Sequence, residues 1–574
     1  MPTIAHRLLQ FYREDPDRVT IRLLHNRLPD QTLTYQQLVL GAAGYARALA
    51  NAGIRPGEVV ILILQHGDSL VCSFFGAILY GAIPSIMPFL TEKLSPDQYR
   101  RSLAALFEIT APAAVITYPE FLGEVQQAIP PGGSVRAVIE TSQVISETAL
   151  DPDLLASGLG RNEQDIVLLQ HSSGTTGLQK GVALSHEAVF NQLDSYAPAL
   201  HLNTNDVIVS WLPLYHDMGL IAGFILPILT KIPLVLLSPF DWVRAPYKLL
   251  HAITQYRGTI AWLPNFAYNF CAQKIRDRDL EGVDLSSWRA VINCSEPMYL
   301  HSHQLFLDRF QAYGFRQEAL ATCYAMAENV FAVTQGGIDS PVVIDRVSQR
   351  SFLTERIARP VLDDEPAINM VSAGPPIHNV RVKVLDDHHH DLPDRHIGEL
   401  ALQSNCMLTG YYERPDLTSK AFHNGWYLTG DLGYMTDGQV YVSGRKKDLI
   451  IVGGKNIYPQ DLEGLAGEVP GVHPGRVVAF GVPNEDLGTE EVVIVAEIDV
   501  DENRPQQTEQ DSAPLEEVYQ SIADEIRQRV TRGSDIALRY VKLVDRGWLL
   551  KTSSGKTARS ANREKYLTEQ SAQS

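Results

Sequence analysis

The chain has 574 residues, 45 % hydrophobic and 20 % charged, with 49 Lys and Arg against 67 Asp and Glu for a net charge of −18. This composition is that of a globular protein with more than one folding unit, and it excludes a collagen-like, coiled-coil or disordered chain. So acidic a chain lacks the basic footprint of a general nucleic-acid binder, although a few placed Lys or Arg residues can still hold a phosphate.

The opening MPTIAHRLLQFYREDPD carries acids early and no apolar run, so no secretory leader is expected. Residues 69–90 are uncharged and nominally long enough to span a bilayer, but Gly76, Gly81, Pro84 and Pro88 break them. They predict a buried helix followed by a strand, and residues 219–239 read the same way, so no transmembrane segment is expected. Short β-rich runs such as EVVILIL, AAVITY, DVIVSWL and PLVLLS alternate with helix-length segments, for example 185–200 and 301–313. That alternation predicts βαβ units and largely parallel sheets. The five cysteines, Cys72, Cys271, Cys294, Cys323 and Cys406, are scattered without a CxxC. They predict neither a disulfide framework nor a zinc knuckle, and they fit a reducing cytoplasm.

Residues 168–185 read LLQHSSGTTGLQKGVALS, a strand running into a Ser/Gly/Thr loop with one lysine and then, by expectation, a helix. Glycines let the backbone approach an anion, and successive N–H groups and hydroxyls donate to phosphate oxygens. Ser172, Ser173, Gly174, Thr175, Thr176, Gly177 and Lys180 are the candidate contacts. Gly181 follows Lys180 where a Walker A loop needs Ser or Thr, so this is a different phosphate loop.

Further segments stand out in chain order: WLPLYHDMG with His216, NCSEP with Asn293, Ser295 and Glu296, and CYAMAE with Tyr324, Ala325, Met326 and Glu328. From Val380 the texture changes. VRVKVLDD and GELALQS read as a hairpin whose turn holds DDHHHD (386–391), and polar residues belong in a turn even where three histidines tempt a metal reading. WYLTGDLGY follows with Asp431, then GRKKDLIIVGGKNIYPQDLE with Arg445 and Lys447, where a smaller α+β unit begins. Residues 501–512 read as a polar loop, and LLKTSSGKTAR near the end carries Lys556.

In this order the segments resemble the motifs of the adenylate-forming superfamily, which includes acyl-CoA ligases, luciferases and nonribosomal adenylation domains. The resemblance runs from about Ile4 to about Arg563, with Gln179 and Leu550 in place of prolines and Cys294 and Ala325 in place of glycines. It implies an α/β fold: a large multi-subdomain N-terminal domain (1–444) with mostly parallel sheets flanked by helices, a hinge (445–447), and a small mobile α+β C-terminal domain (448–574). ATP and Mg²⁺ are the implied cofactors. Asn293, Ser295, Glu296, Tyr324, Ala325 and Met326 would border the adenine, with Tyr324 stacking on it. Glu328 would bind Mg²⁺, Asp431 the ribose hydroxyls and Arg445 the ribose or phosphate. His216 would border the acyl pocket, unless it is a core histidine. Lys447 would be the hinge, and Lys556 would reach the reacting carboxylate and α-phosphate.

PNFAYNFC (264–271), Asn293 before SEP, NIYPQDLE (456–463) and YHDMGLI (215–221) resemble the fatty acyl-AMP ligase branch. The stretch from Glu328 to Gly374 is longer than in CoA ligases. The surplus, about 336–370, resembles that branch's insertion, which is thought to hinder the domain rotation that CoA needs; a neutral loop extension is the alternative. The resemblance implies activation of a fatty acid to acyl-adenylate and transfer to the phosphopantetheine of an acyl carrier protein. Arg527, Arg529, Arg532 and Arg539 are candidates for docking that acidic partner. An acyl- or aryl-CoA ligase and a non-catalytic binding homologue are the competing readings.

Overall fold

The computed structural model describes residues 3–26, 28–89, 96–172, 180–362, 364–452, 455–484, 489–499, 515–534, 538–552 and 555–573. The expected alternation of strands and helices is present. A seven-stranded sheet runs in the order Leu320–Cys323, Ala290–Cys294, Ile260–Leu263, Ile208–Ser210, Leu234–Leu237, Val19–Leu24 and Gln31–Thr34. All its neighbours are parallel except the last pair. A second sheet of Ile83–Ile86, Val59–Ile63, Ala114–Thr117 and Ala137–Glu140 is wholly parallel. Parallel strands with helices on both faces are buried twice over, which is why Val59–Ile63 and Leu234–Leu237 consist wholly of Val, Ile and Leu.

The uncharged stretch at 69–90 becomes the helix Asp68–Tyr80 and the strand Ile83–Ile86, both inside the core. The stretch at 219–239 becomes a buried π-helix Met218–Ile225, a short helix Leu226–Leu229 and the strand Leu234–Leu237. Among the described residues no helix is long and apolar enough to cross a membrane. All five cysteines are free and buried.

One local expectation is corrected. The phosphate loop does not pass directly into a helix: Lys180–Ser185 is a strand antiparallel to Ile166–Ser172, and the helix His186–Ala199 follows it. The GVALS run is too short to show a period, and its partners come from elsewhere, since Gly410–Tyr411 completes this small sheet.

The hairpin from Val380 is present as Val380–Leu385 against Gly398–Ser404, in a five-stranded antiparallel sheet that also contains Trp426–Thr436 and Gln439–Arg445. Its turn is built by Asp386, whose carboxylate accepts from the backbone N–H of His388 and of His390, each at 2.8 Å. After Arg445 the chain forms an α+β unit in which Val472–Asn484, Thr489–Ile498 and Tyr540–Val544 make a sheet. The helices Pro459–Gly467, Leu515–Ser534 and Arg559–Gln573 accompany it. One apolar cluster around Ile457, Ile494 and Ile526 lies wholly within this unit.

The surplus segment is a folded excursion. Gly336 and Gly374 meet at its neck so closely that a Cβ on Gly374 would sit 2.2 Å from the Gly336 nitrogen, and Gly374 has φ +95. Beyond the neck, Ile344–Ser348 pairs with Ala367–Val371. Val347, Phe352 and Ala358 bury themselves with Leu432, Tyr434 and Tyr441 of the antiparallel sheet, and Tyr458 of the C-terminal unit joins the same cluster. Asp345 accepts from Tyr434 Oη at 2.8 Å and pairs with Arg395 at 3.0 Å. Gln349 Nε2 donates to the Gly533 carbonyl at 2.7 Å, so the segment touches both the large body and the C-terminal unit.

Candidate active site

In open α/β sheets, ligands bind in the crevice beyond the C-terminal ends of the strands. Here the ends of Ala290–Cys294 and Leu320–Cys323 deliver Ser295, Glu296 and Tyr324 to that edge. Ser295 takes φ +70, a left-handed turn that sends the chain away from the sheet. Glu296 accepts from the Phe266 backbone N–H at 3.0 Å. Asn293 is buried, its amide donating to Asn265 Oδ1 at 3.0 Å and meeting His303 Nε2 at 2.9 Å. Those bonds brace the segment from behind. Ala325, where a glycine is usual, pairs with Ala332 in extended backbone, and Met326 N donates to the Phe331 carbonyl at 2.9 Å.

Asp431 and Arg445 face each other on adjacent antiparallel strands. Tyr324 Oη donates to Asp431 Oδ2 at 2.6 Å, and Arg445 Nε lies 3.3 Å from Asp431 Oδ1. The Asp431 charge raises the Arg445 pKa against the opposing effect of burial. Tyr324, buried beside the same carboxylate, is pushed well above the ordinary phenol value.

Glu328 follows in a tight turn, and its Oε1 accepts from Tyr411 Oη at 2.9 Å. Burial pushes the Glu328 carboxyl up; the Tyr411 hydroxyl pulls it down, Asp217 pushes it up again and Arg445 pulls it down. Among the described residues no ion pair reaches it. A desolvated carboxyl without a cation in contact suits a divalent metal ion, which takes oxygen ligands and repays the burial.

Lys180 stands with its Nζ 4.8 Å from the centroid of the Tyr411 ring. Ser172 ends the strand and pairs with Lys180. Ser173, Gly174, Thr175, Thr176 and Gly177, and the Ser172 side chain, lie outside the described residues. Lys447 lies in the turn Lys446–Asp448, and burial lowers its pKa, helped by the nearby charges of Arg445 and Lys180.

His216 Nδ1 is 2.6 Å from Asp217 Oδ1, and Asp217 caps the π-helix by accepting from Met218 N at 2.8 Å. Burial pushes the Asp217 carboxyl up, but His216 and then Lys556 outweigh it and hold it below its ordinary value. Lys556 is therefore within electrostatic reach of the His216–Asp217 pair, although it arrives from the far end of the chain. A tight turn carries it: Gly555 N donates to the Thr552 carbonyl, and Thr552 N donates to the Lys556 carbonyl, both at 2.8 Å.

The loop of Lys556 is tied to the turn of Lys447. Arg559 donates to Asp448 at 2.6 Å, to Glu463 at 2.7 Å and to the Ala479 carbonyl at 2.9 Å. On the other side Lys446 reaches Glu399 at 3.0 Å. Arg559→Ala should cost about 3 kcal/mol, because it leaves Asp448 and Glu463, both partly buried, without their cation. Faster amide exchange along Val472–Asn484, with the large parallel sheet unaffected, is the expected readout; unchanged exchange would show the clamp to be idle.

Four cations (Lys180, Arg445, Lys447, Lys556) and three acids (Asp217, Glu328, Asp431) thus form one electrostatic network. One member, Asp217, and the neighbouring Tyr411 escaped the sequence reading. Asp217 had a visible signal, an acid directly after the singled-out histidine. Tyr411 had none, since its role depends on a strand pairing from a distant segment.

A family model described as AMP-binding enzyme matches residues 10–412. The chain is 28 % identical over 560 residues to the medium-chain fatty acid–acyl carrier protein ligase JamA of Moorena producens, covering 93 % of this chain and 90 % of JamA. It is 30 % identical over 546 residues to a putative acyl-CoA synthetase of Caulobacter vibrioides, covering 94 % and 91 %. A solved structure from work on fatty acyl-adenylate ligases of E. coli and L. pneumophila superposes with a TM-score of 0.88 at 26 % identity, covering 100 % of this chain and 99 % of that one.

Proposed function

The chain belongs to the AMP-binding enzyme family, and we propose that this acyl-adenylate-forming ligase passes its acyl group to the phosphopantetheine thiol of an acyl carrier protein. The observation that carries the choice of acceptor is the excursion at 336–370, which engages the C-terminal unit through Gln349 and Phe352. A segment packed on both bodies opposes the rotation that would open a path for free CoA.

In the proposed reaction a fatty acid carboxylate attacks the α-phosphorus of ATP, the new O–P bond forms, and the bond to pyrophosphate breaks. The Ser172–Thr176 loop and Lys180 hold the phosphates. Asp431 receives the ribose hydroxyls, with Tyr324 and Arg445 fixing its two oxygens. The adenine lies along Ser295, Glu296, Tyr324, Ala325 and Met326. Lys556 neutralises charge shared by the entering carboxylate and the α-phosphate, and fixed charge of this kind needs no reorganisation during reaction. Glu328 is the residue that would hold Mg²⁺, which when bound supplies charge neutralisation at the triphosphate. In the second step the thiol sulfur attacks the acyl carbonyl, the C–S bond forms, the acyl C–O bond to the phosphate breaks, and AMP leaves as the thiol proton is released.

The basic residues named for docking are largely matched: Arg527 pairs with Asp524, Arg529 with Glu468 and Arg539 with Glu491. Carrier docking therefore does not rest on them as a free basic patch. A cytoplasmic setting agrees with the free cysteines.

The test is to incubate the enzyme with ATP, Mg²⁺ and fatty acids of graded length, with free CoA or with a phosphopantetheinylated carrier protein, and to follow products by mass spectrometry. Acyl-AMP should accumulate with CoA present and be consumed by the carrier. Prompt acyl-CoA formation would instead establish the CoA ligase reading. Failure to make adenylate from any acid would point to a non-catalytic homologue.

A further inference from the structure

We propose that Tyr411 is a positioning residue that fixes the Glu328 carboxylate through its hydroxyl and the Lys180 ammonium through its ring, joining the metal and phosphate halves of the site. The inference rests on the reading of Glu328 as the Mg²⁺ residue.

Tyr411 is almost fully buried and sits on a strand that touches both halves. Leu408 N donates to the Glu328 carbonyl at 2.8 Å, and Thr409 N to the Ala183 carbonyl at 2.9 Å. Tyr411 pairs with Val182, and Tyr412 N donates to the Gly181 carbonyl at 2.7 Å. The backbone at 408–412 therefore bridges Glu328 to the strand that begins at Lys180. The Tyr411 side chain repeats the bridge. Its Oη is 2.9 Å from Glu328 Oε1 and 2.9 Å from Tyr427 Oη, and its ring lies beneath Lys180.

An ionised carboxylate only accepts, so Tyr411 donates to Glu328 and Tyr427 must donate to Tyr411. The relay holds Glu328 through its Oε1. An ammonium over a tyrosine face is held by the ring quadrupole, which phenylalanine also supplies. The two functions of Tyr411 can therefore be separated by substitution.

The experiment uses the full-length chain with ATP and no fatty acid. Mn²⁺ binding is followed by the loss of the free-ion electron paramagnetic resonance signal, and ATP binding is measured separately in excess Mn²⁺. Tyr411→Phe should weaken Mn²⁺ by about tenfold, the usual scale for removing a partner of a metal ligand. Its ATP affinity in excess Mn²⁺ should stay within about threefold, because the ring remains beneath Lys180. Tyr411→Leu should lose about tenfold on ATP as well. Tyr427→Phe, which spares the bond to Glu328, should show a smaller Mn²⁺ effect than Tyr411→Phe and guards against a folding artefact. Glu328→Gln should weaken Mn²⁺ most. If Glu328→Gln weakens Mn²⁺ and Tyr411→Phe does not, the positioning role is wrong. If Glu328→Gln also binds Mn²⁺ like the wild type, the metal reading fails and this inference falls with it.

Discussion

Lys556→Ala should slow acyl-adenylate formation by about 10²- to 10³-fold while ATP affinity changes by less than about tenfold, the scale expected when one preorganised charge is removed from a reacting centre. Lys556 stands within electrostatic reach of Asp217, and the Arg559 clamp three residues further on connects its loop to Asp448. The nucleotide contacts assigned to Tyr324, Asp431 and Arg445 come from other elements and should survive. Pyrophosphate release would report the chemical step, and ATP titration without fatty acid would report binding. Lys556→Arg should not restore the rate, since a planar guanidinium cannot replace a compact ammonium on the same short turn. A near-normal burst of pyrophosphate from Lys556→Ala would remove this residue from the mechanism. The carboxylate and α-phosphate would then have to be neutralised by Lys180 and Lys447, which belong to the same network.

How much of this was legible beforehand depended on whether the signal was local. The parallel sheets were readable because strands buried on both faces must be runs of Val, Ile and Leu, as at Val59–Ile63 and Leu234–Leu237. The α+β texture after Arg445 was readable for the same kind of reason. The strand Lys180–Ser185 was not, because GVALS is too short for a pattern to repeat clearly and its partners lie before and far after it in sequence. The same limit applies to side chains. Asp431 and Arg445 were named separately from their motifs, but that they are cross-strand partners follows only from the register of Trp426–Thr436 against Gln439–Arg445. Asn293 was named from its motif too, but that its Nδ2 donates to Asn265 and meets His303 follows only from the packing of distant segments. A motif therefore names a residue without telling which way its side chain turns.

The excursion at 336–370 gives the second large prediction. Phe352 is buried against Leu432, Tyr434 and Tyr441 of the large body, and its ring lies 5.6 Å from that of Tyr458 in the C-terminal unit. Truncating a buried phenylalanine costs about 3–5 kcal/mol. If about 3 kcal/mol of that cost bears on the contact between the two bodies, the equilibrium between the held and rotated arrangements shifts by roughly 10²-fold. Gln349→Ala removes one hydrogen bond, to the Gly533 carbonyl, and should add about 1 kcal/mol. The double variant Gln349→Ala/Phe352→Ala, supplied with preformed acyl-adenylate and free CoA, should therefore make acyl-CoA roughly 10- to 100-fold faster than the wild type. Adenylate formation should fall only in proportion to the lost population of the held arrangement. The two rates move in opposite directions, which a general loss of folding cannot produce. An intact melting transition with no gain in acyl-CoA would mean that the excursion does not govern the acceptor. The discrimination between CoA and a carrier protein would then lie in the path to the thiol itself.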